Sequence, residues 1–531
     1  MSTGKTEASC SPFAGQGEGF ARWLDRIFAG VAKWADDHAW LWLAAFTVIY
    51  LACTVARSLA KPLWFDELFT FYISRAPGWK ERLAMGFGDD CPPLFYGLTH
   101  ACLRLFGENS LASRMPEIMG FWLMCVCLFL FVRRRCAAIY AFLAVLLAVR
   151  SLAYAYAYEA RPYGLMLGMA GLSLWCWQSI AEGRRRTLAL VFLTLSVAIA
   201  VNIHYLGAQI AVPLLAGEAC RTLERRKIDW GVLSALALGL SPLSLMMPLA
   251  QRAFRTVFAS AASPPVSWAP HVASLAIFYN DLVGPMVFSV VAGMAATALV
   301  YLLGGREPPL AESSAPKFPL HELAASIGYL LVPAMMLFAT WLKIGVWYDR
   351  YGLTAVVGCV IPFAYFCAVL SRERFVMPCL LITSLFCMWV VPTVRSGVGV
   401  KTQWSNLRMS SLMYPKGDAF PTVVADKIWF LQMAHYSAPE VASRLVYLTD
   451  IANAARRPDL YKNDRNVFVC RSVLPGTVED YRVFLSRNRE FWLLYHNQSG
   501  LEWLPSQLWE DGWKLEYQGQ DSDRILFRVR R

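Results

Sequence analysis

The chain has 531 residues, of which 57% are hydrophobic and 17% charged, and its mean hydropathy is +0.40. A composition this apolar excludes an ordinary soluble protein. Apolar runs of about 20 residues recur through the first three quarters of the chain, and each is long enough to cross a bilayer. The net charge of +12 would indicate nucleic-acid binding in a soluble protein. Here the arginines cluster in short loops between apolar runs, which membrane topology explains without any nucleic-acid partner.

Residues 1–37 precede the first apolar run and are predicted to form a cytoplasmic tail with an amphipathic helix. Apolar residues recur at helical spacing over 20–34, with charged residues between them. This pattern is typical of a helix that lies in the membrane interface. A polar extension of the first membrane span is the alternative, and the sequence leaves both open.

Residues 38–394 are predicted to form a mainly α-helical transmembrane domain with about eleven spans. The spans lie near 40–56, 117–132, 137–152, 162–180, 187–202, 206–220, 229–249, 284–303, 322–342, 352–370 and 376–393. Alternate connections carry basic clusters, at 133–135, 184–186, 221–227, 306–317 and 372–374, all on the side of the N terminus. The positive-inside rule makes this side cytoplasmic. The first outer loop, 61–116, and the C-terminal segment then lie outside.

Residues 395–531 have the composition of a soluble domain, predicted as a small extracytoplasmic α/β domain. Strands are predicted at 466–470, 490–496 and 524–530, and helices at 439–457 and 478–488. Its role, as a cap over a substrate or as a stabilising domain, stays open. Cys470 in this domain and Cys91 in the first outer loop are both predicted to lie outside, and whether they pair is also left open.

The first outer loop concentrates carboxylates at the edge of the membrane. Asp66 and Glu67 follow the first span, and Asp89 and Asp90 precede a Cys-Pro-Pro turn. Ionisable residues at a membrane are costly and indicate a functional site by default. Such carboxylates suit a general base or a cation ligand. The alternative is that Asp66 and Glu67 cap a helix formed by LFTFYISRA.

Three other outer connections carry polar residues that could complement these carboxylates. They contain Arg161 with Tyr163, His204 with Tyr205, and Arg350 with Tyr351. Arginine is the preferred partner of a phosphate, and tyrosine offers both a donor and a stacking face. The mixture therefore favours an amphiphilic, phosphate-bearing substrate at the outer face. Interfacial anchoring of the arginines, an aromatic belt of tyrosines and a structural role for His204 are the alternatives.

The ordered set FDELFTFY, an acidic residue before PPLFY, EARPY, NIHY and YDRY resembles the GT-C glycosyltransferases that use polyprenyl-phosphate sugars. More narrowly, it is similar to the branch of protein O-mannosyltransferases and lipid A aminoarabinose transferases. The resemblance implies the GT-C fold and covers nearly the whole chain. Many relatives have His before the two prolines, where this chain has Cys91.

The resemblance implies a role for each motif. Asp66 matches the catalytic base of the family and Glu67 its catalytic neighbour, while Asp89 or Asp90 matches the acceptor or metal side. Residues expected to bind the donor phosphate are Arg161, Tyr163, His204, Tyr205, Arg350 and Tyr351. A divalent cation at Asp90 and His204 is possible, although Cys91 argues against a metal beside the prolines.

The implied reaction is a single displacement with inversion, in which Asp66 deprotonates an acceptor hydroxyl and polyprenyl phosphate leaves. The acceptor could be lipid, glycan or protein, and the site would face the periplasm of a bacterial inner membrane. A transporter or lipid flippase is the main rival, but it predicts mid-span charges and inverted repeats that are not found here. A non-catalytic assembly protein of the same fold is the third possibility.

Overall fold

The computed structural model describes residues 14–88, 91–245, 271–304, 318–344, 347–371, 374–398, 420–451, 464, 466–496, 503–521 and 524–531. Most of these residues form a bundle of apolar helices, and a small mixed sheet follows it. The mainly α-helical membrane architecture predicted from the sequence is therefore confirmed.

The helices of the bundle follow the predicted spans closely. They are α1 Ala14–Asp37, α2 Ala39–Ala60, α3 Phe65–Arg75, α4 Trp79–Gly88, α5 Pro93–Phe106, α6 Ser110–Arg133, α7 Ala138–Val149, α8 Tyr163–Ala181, α9 Arg186–Ile203, α10 Ala211–Arg225, α11 Trp230–Leu240, α12 Val272–Gly304, α13 Leu320–Ala339, α14 Ala355–Ser371 and α15 Val376–Val398. Each predicted span contains helix within the residues that the structure describes. Among the described residues, six helices are long and apolar enough to cross a membrane, or seven if one bent pair is a single span.

The pair of helices α6 and α8 packs closely because glycines line the contact. A Cβ on Gly120 would lie 2.3 Å from the Leu165 Cα, and one on Gly168 would lie 2.4 Å from the Gly120 carbonyl oxygen. Small residues allow helix backbones to approach in this way within a membrane. The close contact sets the start of α8 against the first turns of α6, at the end of the bundle that carries the acidic loop.

The N-terminal helix α1 lies at the other end of the bundle. Asp36, near its last turn, forms an ion pair with Arg133 at 3.0 Å and accepts a hydrogen bond from the Ala138 N–H at 2.8 Å. Asp25 accepts from the Phe375 N–H at 3.3 Å. The arginine cluster at 133–135 and the N-terminal helix are therefore neighbours, as the charge pattern predicted.

The C-terminal segment forms one six-stranded sheet with the order β3-β2-β1-β4-β6-β5. Its strands are β1 Thr422–Val424, β2 Leu445–Thr449, β3 Thr477–Asp480, β4 Glu490–His496, β5 Lys514–Asp521 and β6 Arg524–Arg530. The first four strands in space are parallel, and β4, β6 and β5 are antiparallel. Helices α16 Lys427–Tyr436, α17 Pro439–Ala442, α18 Tyr481–Arg487 and α19 Leu504–Glu510 accompany the sheet.

The predicted strands at 490–496 and 524–530 are confirmed, but three other predictions for this domain are wrong in part or in full. Residues 466–470 are helical, because their short apolar run fits a buried helix turn as well as a strand. The helix predicted at 478–488 begins only at Tyr481, because the residues before it belong to β3. The helix predicted at 439–457 ends at Ala442, and the apolar residues that follow form strand β2. The β-branched and aromatic residues of this strand are all buried.

The C-terminal domain packs on the helix that carries the acidic pair. The Tyr72 hydroxyl of α3 and His435 Nδ1 of α16 share a hydrogen bond at 2.7 Å. The Leu63 N–H donates to the hydroxyl oxygen of Tyr436 at 2.6 Å. Cys91 and Cys470 are both buried. Helix α3 is therefore held between the bundle and the sheet.

Candidate active site

The four polar connections singled out in the sequence meet at one end of the bundle. Lys61 beside the acidic pair forms an ion pair with Glu159 at 2.9 Å. Tyr163 and His204 have ring centroids 5.5 Å apart. Asp66 lies beside Arg350 of the last connection. Residues far apart in the chain thus form one polar site.

Asp66 is the second residue of α3, and its side chain is 22% exposed. The first turn of a helix suits a carboxylate because the helix N-terminus carries partial positive charge. Asp66 Oδ2 lies 3.4 Å from Arg350 Nη1. Of the two adjacent carboxylates, Asp66 is the one that remains open to an incoming molecule.

Glu67 instead forms an ion pair with Arg114 in which both side chains are fully buried. Arg114 Nε and Nη2 donate to the two carboxylate oxygens at 2.7 and 2.8 Å, and the Ala160 N–H donates to Oε1 at 2.7 Å. Arg114 also donates to the carbonyls of Ser58 and Lys61. This pair ties α3 to α6, to the end of α2 and to the turn before α8. Glu67, predicted as a catalytic partner of Asp66, is thus enclosed away from any substrate.

Arg350 lies at the centre of the site. Its guanidinium carbon is 4.5 Å from the ring centroid of Tyr348 and 6.0 Å from that of Tyr163. Burial works to lower the pKa of Arg350, but Tyr163 and Asp66 raise the pKa by more, so the cation is retained. Arg350 Nε is buried and makes no hydrogen bond within the described part of the chain. The guanidinium therefore keeps donor capacity for an anion.

Arg161 and His204 lie on the two neighbouring connections. Arg161 is only 7% exposed, with Nη2 at 4.0 Å from Cys91 Sγ. Burial, together with Arg161 and Arg350, lowers the pKa of His204 to about 3, so its ring is neutral at physiological pH. His204 Nδ1 accepts a hydrogen bond from the Leu206 N–H at 3.0 Å, which places the ring proton on Nε2. This edge of the ring is a neutral hydrogen-bond donor.

The tyrosines complete the aromatic lining. Tyr205 lies beside His204 with a centroid distance of 6.5 Å. Tyr351 packs edge to face on Tyr348, with centroids 5.5 Å apart. The predicted phosphate-binding residues are therefore brought together around Arg350.

Asp89 and Asp90, predicted on the acceptor or metal side, lie outside the described residues. Among the residues that the structure does describe, no three His, Cys, Asp or Glu side chains are grouped to hold a metal ion. The cation predicted at Asp90 and His204 stays a prediction.

Two residues important to the site were missed by sequence reasoning. Arg114 is the partner of Glu67, and Glu117, fully buried, accepts a hydrogen bond from the Leu165 N–H at 2.8 Å. A signal was present, because two charged residues three positions apart share one helix face at the start of an apolar run. The predicted span began at 117, which left Arg114 in the loop.

The chain is similar to one family of known proteins in sequence and to solved membrane-protein structures in fold. The family model "Dolichyl-phosphate-mannose-protein mannosyltransferase" matches residues 90–246. Crystal structures of ArnT from Cupriavidus metallidurans, one bound to undecaprenyl phosphate and one in the apo state, each align with a TM-score of 0.53 at 14% identity, covering 92% of this chain and 98% of that chain. No curated protein sequence matches the chain. The structural similarity shows a shared fold over nearly the whole length of both proteins.

Proposed function

We propose that the chain is a membrane glycosyltransferase of the GT-C type that transfers a sugar from a polyprenyl-phosphate donor to an acceptor hydroxyl. One observation carries the proposal: the partly exposed carboxylate of Asp66 lies 3.4 Å from the partly exposed guanidinium of Arg350. A base and a phosphate-binding cation are thus side by side. The relative bound to undecaprenyl phosphate supports a lipid-phosphate donor.

The donor phosphate would occupy the space around Arg350. Arg350 and Arg161 offer guanidinium groups, the strongest partners for phosphate oxygens. His204 adds a neutral hydrogen-bond donor at Nε2. The ring of Tyr163 lies beside the Arg350 guanidinium, and Tyr351 packs on Tyr348. The exposed apolar helices beside the site would accommodate the hydrocarbon tail of the donor.

The chemical step is a displacement at the anomeric carbon. Asp66 accepts the proton of the acceptor hydroxyl, the oxygen forms a bond to the anomeric carbon, and the bond from that carbon to the phosphate oxygen breaks. The polyprenyl phosphate leaves with its charge held by Arg350 and Arg161. Preorganised charge of this kind is often the largest catalytic contribution, with about 10²–10³ in rate lost per donor removed. A single displacement inverts the anomeric configuration.

Position in the membrane follows from the charge pattern. The arginine clusters face the cytoplasm under the positive-inside rule, so Asp66 opens on the outer face of a bacterial inner membrane, toward the periplasm. Asp89 and Asp90 belong to the same outer loop and would serve the acceptor side. The acceptor is a hydroxyl of lipid, glycan or protein.

The test uses the full-length protein in liposomes with a polyprenyl-phosphate sugar labelled in the sugar and an envelope extract as acceptor. We expect protein-dependent release of polyprenyl phosphate and transfer of the label with inverted anomeric configuration. Movement of intact donor across the membrane without cleavage of the sugar–phosphate bond would instead indicate the rival transporter. Retained configuration would contradict the single displacement.

A further inference from the structure

A second polar cavity lies at the end of the bundle opposite Asp66. Its volume is about 620 Å³, and it lies where α8 and α10 end and where α9 and α11 begin. Helix α8 starts at the active site with Tyr163, and its 19 residues span roughly 28 Å at the helical rise. The charged side chains that line the cavity are Glu182, Arg186, Arg221, Arg225, Lys227 and Asp229.

Two of these arginines are held in place by carboxylates. Arg186 Nη1 lies 3.0 Å from Asp229 Oδ2, and Arg221 Nη1 lies 3.1 Å from the same oxygen. Arg221 also forms an ion pair with Glu218 at 3.0 Å. Burial works to raise the pKa of Asp229, but the two guanidinium groups lower the pKa to about 2, so the carboxylate stays ionised. The cations are therefore fixed before any ligand arrives.

The rim of the cavity carries excess positive charge. Arg225 and Lys227 are exposed, and neither forms an ion pair with another residue in the described ranges. Glu182, the other lining carboxylate, already forms ion pairs with Arg134, Arg135 and Arg184. An anion could therefore bind at the rim without meeting an uncompensated negative charge.

Apolar side chains continue outward from the same rim. Trp230, the first residue of α11, is 70% exposed, and Ile228 beside it is 46% exposed. On α9, Leu188 and Val191 are 50% and 49% exposed. A tryptophan between a group of charged side chains and an apolar helix surface is typical of the membrane–water interface. The cavity thus opens toward the position of lipid headgroups rather than toward bulk water alone.

We propose that this cavity binds the headgroup phosphate of an anionic phospholipid from the leaflet on the N-terminal side of the protein. Arg225 and Lys227 contact the phosphate, Arg186 and Arg221 form the fixed base of the site, and the acyl chains lie along α9 and α11. Basic pockets between membrane helices are suited to such headgroups. The site is separate from the donor site and does not depend on the proposed reaction.

The experiment measures lipid binding by the purified full-length protein in neutral detergent. The probes are phosphatidylglycerol, phosphatidylethanolamine and inorganic phosphate, each titrated while bound lipid is followed by native mass spectrometry and the unfolding midpoint by thermal denaturation. The variant Arg225→Gln with Lys227→Gln removes exposed charges only, so the fold is retained. At about five- to sixfold in affinity per basic residue, we expect the double variant to bind phosphatidylglycerol roughly thirtyfold more weakly.

A matched control removes two exposed charges from the C-terminal sheet domain, through Arg482→Gln with Lys514→Gln. This control should bind phosphatidylglycerol like the unsubstituted protein. Equal binding by the Arg225 and Lys227 double variant would overturn the site. Equal binding of phosphatidylethanolamine, or stabilisation by inorganic phosphate alone, would overturn the assignment to an anionic lipid.

Discussion

Two adjacent carboxylates, Asp66 and Glu67, have different environments because consecutive residues of a helix point about 100° apart. Glu67 turns into the protein and meets Arg114, while Asp66 remains partly exposed beside Arg350. The two adjacent carboxylates therefore have different roles. Glu67 positions α3, and Asp66 is available for the proposed proton transfer.

Replacing Glu67 by Gln should lower stability strongly. The change keeps the shape but leaves the fully buried Arg114 without its counter-charge, which costs about 3–5 kcal/mol when one partner of a buried pair is removed. Thermal and denaturant unfolding of the purified variants would measure this loss. Glu108→Gln is the control, because its pair with Arg75 is exposed and is worth about 1 kcal/mol or less.

A different outcome would assign Glu67 to the reaction itself. If Glu67→Gln unfolded like the Glu108 control and yet had lost turnover, the positioning role would be wrong. If Glu67 has a structural role, the Glu67→Gln protein should lose folded molecules and total activity together. The turnover of each molecule that remains folded should fall far less than the total activity.

At the scale of the element, α3 is a bridge between two domains. Its inner side packs in the bundle through Glu67, and its Tyr72 is hydrogen-bonded to His435 of α16. Burial raises the pKa of Tyr72 to about 12, so the hydroxyl keeps its proton and can donate. The ring of His435 is kept neutral by its burial and by the nearby Arg75, which both lower its pKa.

This contact should make stability depend on pH. Burial and the nearby Arg75 lower the pKa of His435 to about 4, whereas an unfolded histidine titrates near about 6.5. Between these values the unfolded chain binds more protons, so stability rises with pH across the window and is lost as pH falls through it. His435→Gln should flatten this dependence when the unfolding midpoint is measured from pH 4 to 7.

The exposed His271 provides the comparison for this series. His271→Gln should leave the pH dependence as in the unsubstituted protein. A His435→Gln protein with an unchanged slope would show that the α3 contact is not the source of acid sensitivity.

Much of the element plan could be predicted from the sequence, and the failures have identifiable reasons. Long apolar runs predicted the membrane helices. Arg350 was identified as a candidate site residue because its polar YDRY connection lies between two such runs. The partner of Glu67 could not be found, because Arg114 lies 47 positions away and only packing of α6 against α3 brings it close. The segment 466–470 was misassigned because its four consecutive apolar residues carry no period that separates a strand from a helix turn.

At the scale of the whole molecule, the chain has two chemically different ends. Asp66, Arg350 and the C-terminal sheet lie at one end, and the arginine clusters with α1 lie at the other. Ion pairs between Arg135, Glu182 and Glu322 hold the latter end together. The positive-inside rule then predicts which end faces outward.

Single cysteines would test this orientation in intact cells. Lys514→Cys on β5 should react with a membrane-impermeant thiol reagent added outside, because the residue is exposed and its domain is predicted to lie on the outer side. Arg185→Cys, in the exposed connection before α9, should react only after the membrane is opened. The native exposed Cys387 would first be replaced by Ser. Labelling in the opposite order would invert the topology.

The central claim is that Asp66 is the base of a glycosyl transfer, and turnover by Asp66→Asn tests it most directly. The measurement is the rate of polyprenyl phosphate release by purified full-length protein, beside the binding of polyprenyl phosphate and the unfolding midpoint. General-base catalysis is worth about 10²–10⁴ in rate, so the variant should lose turnover by that factor while folding and binding lipid normally. The exposed Asp281 is the control, and Asp281→Asn should retain activity. Release at the normal rate by Asp66→Asn would contradict the account.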